Sequence, residues 1–227
     1  MKKRIFYTEL AYVLGLIIMA FGAAFTEKAA FGMSMVVAPA YILHLKVSTI
    51  LPWFSFGVAE YVLQGILVAL TAVVMRKFKL SYLFSFVTAL IYGTVLDLAM
   101  KLIAHVPADL FAIRVVWFVL GSVFCSIAVS LFFHTYLSPE AYELIVKEFS
   151  QKFNIKITRV KTVYDCVSVV IGIAMSFAFF GFGVFEGVKL GTIICALVNG
   201  FLIGRITRAL ERVFVFENKF KLEKYFK

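Results

Sequence analysis

Six stretches of this chain, each about 20 residues long, are almost free of charged side chains and are therefore long enough to cross the hydrocarbon core of a bilayer as helices. Composition points the same way, because 63% of the residues are hydrophobic and 16% are charged, whereas a soluble domain has about 45–50% and about 25%. The sequence predicts an all-α membrane protein with a single integral membrane domain over residues 1–227. Its six predicted transmembrane helices are residues 5–25, 52–75, 80–103, 111–133, 162–183 and 185–206.

The first stretch also has the charged start of a secretory signal peptide, since Lys2, Lys3 and Arg4 precede it. Its apolar run is longer than the roughly 7–15 residues of a signal-peptide core. A similar run occurs in the middle of the chain, where no signal peptidase acts. We therefore predict that residues 5–25 remain as a transmembrane helix.

The positive charges predict the orientation. Most of the 23 lysines and arginines lie before the first span, between the second and third, between the fourth and fifth, or after the sixth. Cationic segments stay on the cytoplasmic side, so both termini, including a basic tail at 207–227, are predicted to be cytoplasmic in a multi-pass protein of the bacterial cytoplasmic membrane. The net charge of +10 thus indicates contact with the lipid bilayer and not with nucleic acid.

Four features recur in the same order in the two halves of the chain. The stretches YVLGLIIMAFGAAF (12–25) and FVLGSVFCSIAVSLFF (118–133) both carry Val-Leu-Gly in their first turn, and each precedes a segment too short to span, at 31–45 and 137–153. Next comes a span with an acid in its early turns, and then a span with Gly-Thr. The acids are Glu60 and Asp165, and the pairs are Gly93-Thr94 and Gly191-Thr192.

Each predicted repeat crosses the membrane three times, which is an odd number, so the second repeat must enter from the opposite side. The repeats, at about 5–104 and about 111–206, are therefore predicted to be inverted three-helix repeats. Transporters with inverted repeats bind their solutes near the middle of the membrane, at the repeat interface. The sequence thus predicts a small-solute transporter or permease that binds an unknown small solute or cation between the halves.

The two short segments differ in character. Residues 33–45 carry no charge before His44, which predicts a re-entrant segment in the outer leaflet. In the second half, Ser138-Pro139-Glu140 predicts a helix start with Ser138 as N-cap, Pro139 at the first position and Glu140 at the positive helix end. An apolar face opposite lysine and glutamate side chains then predicts an interfacial helix on the cytoplasmic side. That face consists of Tyr142, Ile145, Phe149 and Phe153.

The short segments, together with RVKTVYD (159–165) and GVKLGTIICALVNGFLIG (187–204), resemble the bacterial YitT/YczE-type multi-pass membrane proteins. The resemblance covers nearly the whole chain. It implies an integral membrane protein and is compatible with a transporter. It implies no catalytic residues.

Ionisable side chains at membrane depth cost several kcal/mol unless they are paired or hydrated, so each one marks a candidate site. Glu60 is the first candidate, because no cation lies three or four positions away and Gln64 adds a polar group one turn along. We expect Glu60 to face a cavity or to pair with Asn199 or Tyr164 on another helix.

Two further acids have a lysine four residues away. Asp97 precedes Lys101, and Asp165 follows Lys161. Opposite charges at this spacing share a helix face, so we predict a structural pair for each, with a solute or cation site as the alternative.

Small side chains recur four positions apart, a spacing that allows membrane helices to pack closely. They are Gly187, Gly191, Gly200 and Gly204 in the sixth span, and Ala20 and Ala24 in the first. The alanine pair also fits an alternative function. The vitamin-binding subunits of energy-coupling-factor transporters are six-helix proteins that dock through small residues of their first helix, and this chain would then be a solute-binding subunit with an ATPase partner.

No sequence motif indicates catalysis, a metal or a cofactor. The cysteines lie inside apolar spans, where they are predicted to be packing residues, and the three histidines are scattered near span ends. We therefore predict that the protein is not an enzyme and has no metal or cofactor. A membrane scaffold or sensor remains a third possible function, and a homo-oligomer a possible assembly. The cysteines are Cys125, Cys166 and Cys195.

Overall fold

The structure is a computed structural model that describes residues 4–137 and 139–220. In chain order its elements are β1 (Arg4–Tyr7), α1 (Thr8–Ala29), α2 (Ala38–Val47), α3 (Phe56–Met75), α4 (Leu80–Ile103), α5 (Phe111–Phe132), α6 (Ala141–Phe153), α7 (Ile157–Phe180), α8 (Leu190–Val213) and β2 (Phe214–Glu217). Within the described ranges, six helices are long and apolar enough to cross a membrane, namely α1, α3, α4, α5, α7 and α8. The protein is therefore an all-α, multi-pass membrane protein, as predicted.

The last two spans were predicted at the wrong places. α7 begins at Ile157 instead of residue 162, and α8 begins at Leu190 instead of residue 185 and continues to Val213. The connection between them includes Gly181 and Gly187 at φ values of +105° and +71°, which side chains larger than glycine rarely adopt. The chain therefore turns here although its composition is apolar, and Gly187 lies in the connection and not on the sixth transmembrane helix.

The first span also begins later than predicted, at Thr8. The residues before it form β1, which pairs in parallel with β2. The predicted tail at 207–227 is thus divided, because α8 continues to Val213 and β2 follows it directly. Residues 221–227 of that tail lie outside the described residues.

α1 and α5 pack as an antiparallel pair. A methyl group added to Gly15 of α1 would lie 2.7 Å from the ring of Phe132, and one added to Gly121 of α5 would lie 2.6 Å from the methyl carbon of Thr26. Gly15 and Gly121 are 106 positions apart (121 − 15), and so are Thr26 and Phe132 (132 − 26). The contact is therefore unchanged when the two halves are exchanged, as a two-fold axis between α1 and α5 requires.

The other helix contacts follow the same exchange, in which α1 to α4 correspond to α5 to α8. α1 packs on α4 as α5 packs on α8, α3 on α4 as α7 on α8, and α2 on α3 as α6 on α7. The short helices also cross between the halves, because α2 packs on α7 and α6 packs on α3. The fold thus has two three-helix repeats with a short helix in each, and the antiparallel α1–α5 pair means that they are inverted.

α6 is not the interfacial helix that the sequence predicted. Its first six residues, from Ala141 to Val146, are all buried, and α3, α4 and α7 pack around it. The helix begins at Ala141 with Glu140 as N-cap, so Pro139 is not its first residue, and the predicted N-cap Ser138 lies outside the described residues. α6 therefore enters the bundle from one end as a re-entrant helix.

Candidate functional site

The buried charged side chains of the described residues all gather between the two repeats. α3 contributes one of them, α6 and its N-cap contribute two, and α7 contributes two. They are Glu60, Glu140, Glu143, Lys161 and Asp165, each at most 2% exposed. Four of the five are acids, so the site has more buried carboxyl groups than buried cations.

Glu60 and Glu140 are linked by a glutamine, and neither forms an ion pair among the described residues. The amide nitrogen of Gln64 donates to Oε2 of Glu60 at 3.3 Å and to Oε2 of Glu140 at 3.2 Å. The hydroxyl of Tyr142 donates to Oε2 of Glu60 at 2.8 Å. The backbone N–H of Ala141 donates to Oε1 of Gln64 at 3.2 Å. We call Glu60, Gln64, Glu140 and Tyr142 the α3 cluster.

Glu143 and Asp165 share one lysine. The Nζ atom of Lys161 lies 3.3 Å from Oε1 of Glu143 and 3.1 Å from Oδ1 of Asp165. The same ammonium group lies 5.7 Å from the centre of the Tyr164 ring, within the range of a cation–π interaction. We call Lys161, Glu143 and Asp165 the α7 cluster.

A central cavity of about 30 Å³ lies against both clusters. Residues of both repeats line it, and the backbone that precedes α2 and the N-terminal end of α6 both reach it. The polar lining residues are Ser34, Tyr92, Glu140, Tyr142, Glu143, Lys161 and Asn199, and the apolar ones include Met19, Met35, Cys125 and Val129. The cavity is therefore at the repeat interface, where the sequence predicted a solute site.

Several buried oxygen atoms at this interface have no hydrogen-bond partner among the described residues. They are Oε1 of Glu60, Oε1 of Glu140, Oε2 of Glu143, Oδ2 of Asp165 and Oδ1 of Asn199. Buried polar atoms without partners cost free energy. Because all of these atoms are acceptors, a guest that donates hydrogen bonds or carries positive charge would satisfy them.

Two further cavities lie between the central cavity and one end of the bundle and share lining residues with their neighbours. A cavity of about 10 Å³ shares Ser34, Cys125 and Asn199 with the central one. It shares Gly32 and Met33 with a vestibule of about 100 Å³ that Glu27, Glu186 and Lys189 also line. The same three cavities thus follow one another from the vestibule to the charged clusters.

Side-chain contacts hold α6 against its neighbours at the opposite end of the bundle. Glu148 accepts from Nζ of Lys79 at 2.9 Å and from the hydroxyl of Tyr82 at 3.0 Å. Lys147 donates to the carbonyl of Thr135 at 2.7 Å, and Lys152 donates to a carbonyl at the end of α3 at 3.0 Å. The charged face that suggested an interfacial helix therefore binds protein groups and holds α6 in the bundle.

The environment of Glu140 favours its protonated form. Burial raises the pKa of Glu140 well above its usual range, and the nearby negative charges of Glu143 and Glu60 raise it further. Gln64 and Lys161 act in the opposite direction. The site can therefore hold a proton on the carboxyl group of Glu140, whose Oε1 atom has no hydrogen-bond partner among the described residues.

The partners that the sequence suggested for Glu60 are wrong. The amide nitrogen of Asn199 instead donates to Sδ of Met35 at 3.8 Å. The ring of Tyr164 lies under the ammonium group of Lys161. Glu60 also lies closer to its helix start than predicted, because α3 begins at Phe56. The hydroxyl of Tyr142 takes the place of the expected partner.

Asp97 lies away from the site. It is exposed on α4, and it forms no ion pair with Lys101, although both are described residues. The predicted pair is therefore wrong, whereas Asp165 and Lys161 do form theirs. Two exposed ends gain little from pairing in solvent, which accounts for the difference.

The small residues pack helices together. Gly200 and Gly204 lie against Thr162 and Thr158 of α7, and Gly191 lies against the backbone of Phe31. Ala20 and Ala24 are completely buried in an apolar cluster that includes Ala128 of α5. The alanine pair is therefore not available to dock an ATPase partner, and that alternative loses the observation that suggested it.

Sequence reasoning missed the roles of Glu140, Tyr142 and Glu143. All three lie in the segment that was interpreted as interfacial because its charges and apolar residues separate onto two faces. The useful signal was the repeat itself, because its first-half counterpart was predicted to be re-entrant. If the second segment had also been predicted to be re-entrant, Glu140 and Glu143 would have been expected inside the bundle.

No group of three or more His, Cys, Asp or Glu side chains in the described part of the chain is arranged to hold a metal ion. Neither a curated protein nor a solved structure matches the chain. A family match covers residues 6–208 and so includes every member of both clusters. The chain belongs to the family of unknown function DUF6198.

Proposed function

We propose that the protein is a permease that carries a small cation across the cytoplasmic membrane of a bacterium, with its binding site in the central cavity. The observation that supports this most directly is the imbalance of buried charge. Four carboxyl groups and one ammonium group lie beside a cavity at the repeat interface. Inverted-repeat transporters bind their solutes at this place.

The charge imbalance requires positive partners. If all five groups were ionised, four negative charges would face one positive charge. An unpaired ionised side chain inside a membrane protein costs several kcal/mol. Protons or a bound cation must therefore make up the difference, and the raised pKa of Glu140 makes it the first group to exchange one for the other.

The cavities support an entry route from one side. The vestibule near Glu27 and Glu186 leads through the narrow cavity to the central one, while α6 closes the other end through Lys79 and Glu148. The predicted orientation, with lysines and arginines concentrated at the cytoplasmic side, supports a vestibule that opens outside the cell and a closed end at the cytoplasm. In this proposal, movement of α6 opens the cytoplasmic side while the outer side closes.

A carboxyl group at the site provides the test. The full chain is reconstituted in liposomes, and uptake of radiolabelled sodium, rubidium (as a tracer for potassium) or methylammonium is measured, because a one-for-one exchange of a cation for a proton moves no net charge. Glu140→Gln removes the exchanging carboxyl with little change of shape, so we expect at least a tenfold slower uptake. Asp97→Asn is the matched control because it makes the same chemical change on an exposed face, and its uptake should equal that of the unaltered protein.

Equal uptake by the Glu140→Gln variant and the unaltered protein would show that the central cavity is not the transport site. No uptake of any of the three cations, by protein that remains folded, would contradict cation transport itself.

A further inference from the structure

Lys161 already provides one ammonium group at this interface. Its ammonium group lies between the carboxyl oxygens of Glu143 and Asp165, at 3.3 Å and 3.1 Å, with the Tyr164 ring at 5.7 Å. Two carboxyl groups and an aromatic ring are the chemistry that recognises an ammonium ion. The α7 cluster is therefore an ammonium site that is filled by the protein itself.

The central cavity offers a second group of acceptors beside that site. Oε1 of Glu140 and Oε2 of Glu143 belong to cavity-lining residues and have no hydrogen-bond partner among the described residues. Asn199, which is 6% exposed, also lines the cavity, and its Oδ1 atom is equally without a partner. Asn199 is neutral and lies on α8, so it is independent of the acidic residues and adds a third acceptor.

The cavity volume limits the guest. A cavity needs about 10–15 Å³ to hold one water molecule. The central cavity, at about 30 Å³, therefore holds roughly two non-hydrogen atoms. Ammonium has one and methylammonium has two. Amino acids, sugars and quaternary amines are too large for the cavity as it stands.

The available groups also fit ammonium better than a divalent metal ion. Calcium takes six to eight oxygen ligands and magnesium needs an octahedral set, whereas the described part of the chain contains no suitable group of three or more His, Cys, Asp or Glu side chains. Ammonium instead brings N–H donors that match separate acceptors, and the rings of Tyr92 and Tyr142 line the same cavity.

We propose that the central cavity binds ammonium or methylammonium, through Glu140, Glu143 and Asn199, next to the ammonium group of Lys161. That the bound ion is also the transported one rests on the proposed function. Binding replaces a proton on the cluster, so the bound ammonium and the protonated carboxyl group are alternative states of one site. The titratable groups that line the cavity are Tyr92, Cys125, Glu140, Tyr142, Glu143 and Lys161. Glu60 contacts Tyr142, and Asp165 contacts Lys161, so both acids lie directly behind that lining.

Thermal unfolding of the purified full chain tests the binding, because a ligand that binds only the folded state raises the unfolding temperature. Ammonium, methylammonium, sodium and potassium chlorides are each titrated against tetramethylammonium chloride at constant ionic strength and pH. We expect a dose-dependent rise with ammonium and methylammonium that sodium and potassium do not match. Glu140→Gln and Asn199→Leu should each abolish the rise, and Asp97→Asn should keep it.

Equal rises with sodium and potassium would overturn the choice of ammonium in favour of a site for monovalent metal ions. The absence of any rise would overturn the site, and so would a rise that both site variants keep. If Glu140→Gln does not fold, Asn199→Leu provides the same comparison without altering a charge.

The binding and uptake measurements separate this inference from the proposed function. Ammonium binding without methylammonium uptake would leave the site in place and contradict transport. Uptake of sodium or rubidium by a protein that does not bind ammonium would support transport and overturn the ammonium site.

Discussion

Glu60 and Asp165 occupy corresponding places in the two repeats but have different neighbours. Four residues before Asp165 on α7 lies Lys161, which contacts Glu143 on α6. Four residues before Glu60 on α3 lies Phe56, whose ring meets that of Tyr41 on α2 edge to face, with centroids 5.5 Å apart. Lys161 and Phe56 thus each contact the short helix of their own repeat. The contact is an ion pair in the second repeat and a contact between aromatic rings in the first.

This difference indicates separate tasks for the two clusters. The α7 cluster carries a cation of its own on the side chain of Lys161, which balances the charge of one of its two acids. The α3 cluster has only hydrogen-bond donors from Gln64 and Tyr142. Its carboxyl groups must therefore take protons or cations from outside, and we expect the α7 cluster to stabilise the fold and the α3 cluster to respond to pH and solute.

Replacing Lys161 should have the largest effect on stability. Lys161→Met leaves Glu143 and Asp165 buried without their cation, and breaking a buried ion pair in this way costs about 3–5 kcal/mol. We expect a loss of this size in the free energy of unfolding, measured by denaturation in mixed detergent micelles. The double variant Lys161→Met/Asp165→Asn removes one orphaned acid as well and should recover part of the loss.

A Lys161→Met variant as stable as the unaltered protein would show that both acids are already protonated in the folded state. The proposed division between the clusters would then be wrong, because neither would need a cation from the protein.

The pH dependence of stability should come in part from Glu140. Burial and the negative charges of Glu143 and Glu60 raise its pKa in the folded state, while an unfolded glutamate titrates at about 4.3. Between these two values the folded protein keeps a proton that the unfolded chain has lost. Rising pH should therefore destabilise the fold by about 1.4 kcal/mol per pH unit for this group.

The free energy of unfolding, measured from pH 4 to pH 8 for the unaltered protein and for Glu140→Gln, shows whether stability falls as the pH rises. The variant has no carboxyl group to titrate, so its stability should decline less steeply as the pH rises above about 4.3. Parallel curves for the two proteins would mean that Glu140 releases its proton as readily in the folded state as in the unfolded one.

Much of the fold was predictable because lipid imposes simple rules. The length of the apolar runs predicted six helices, and the recurrence of Val-Leu-Gly at Gly15 and Gly121 predicted a repeat that the α1–α5 contact confirms. The errors lie where apolar composition does not distinguish helix from turn. The stretch from Gly181 to Gly187 has three apolar side chains and lies between two apolar runs, so it was divided between the spans, whereas its glycines adopt backbone angles that turn the chain.

The site was harder to predict, because it depends on how deeply α6 enters the bundle. Glu60, Gln64, Asp165 and Asn199 were recognisable as polar residues within apolar spans. Glu140 and Glu143 lie in a segment whose composition suits a membrane surface equally well. Periodicity describes which residues share a face of a helix, but it does not say whether water or another helix covers the polar face.

Glu60→Gln should have a smaller effect on stability and a clear effect on pH dependence. The amide keeps an oxygen atom that accepts the hydrogen bond from Tyr142, so the free energy of unfolding should change by about 1 kcal/mol or less. It also removes a negative charge from the neighbourhood of Glu140. The pH at which ammonium binding is half-maximal should therefore shift downward, as titrations of unfolding temperature at several pH values would show.

An unchanged pH profile in the Glu60→Gln variant would show that Glu60 carries no charge during binding. Glu60 would then be a structural acid, and Asp165, at the corresponding place on α7, would be the next residue to substitute.

Asp97 should show the smallest effect, although it is also an acid on a transmembrane helix with a lysine four residues along. It is exposed and makes no ion pair with Lys101, so Asp97→Asn breaks no contact of the folded protein. Substitutions at such surface positions usually change the free energy of unfolding by less than about 0.5 kcal/mol, and cation uptake and ammonium binding should match those of the unaltered protein. A large loss of either would mean that Asp97 meets a partner or a solute in another state of the transport cycle, and the difference between the α3 and α7 clusters would then describe only part of the acids on which transport depends.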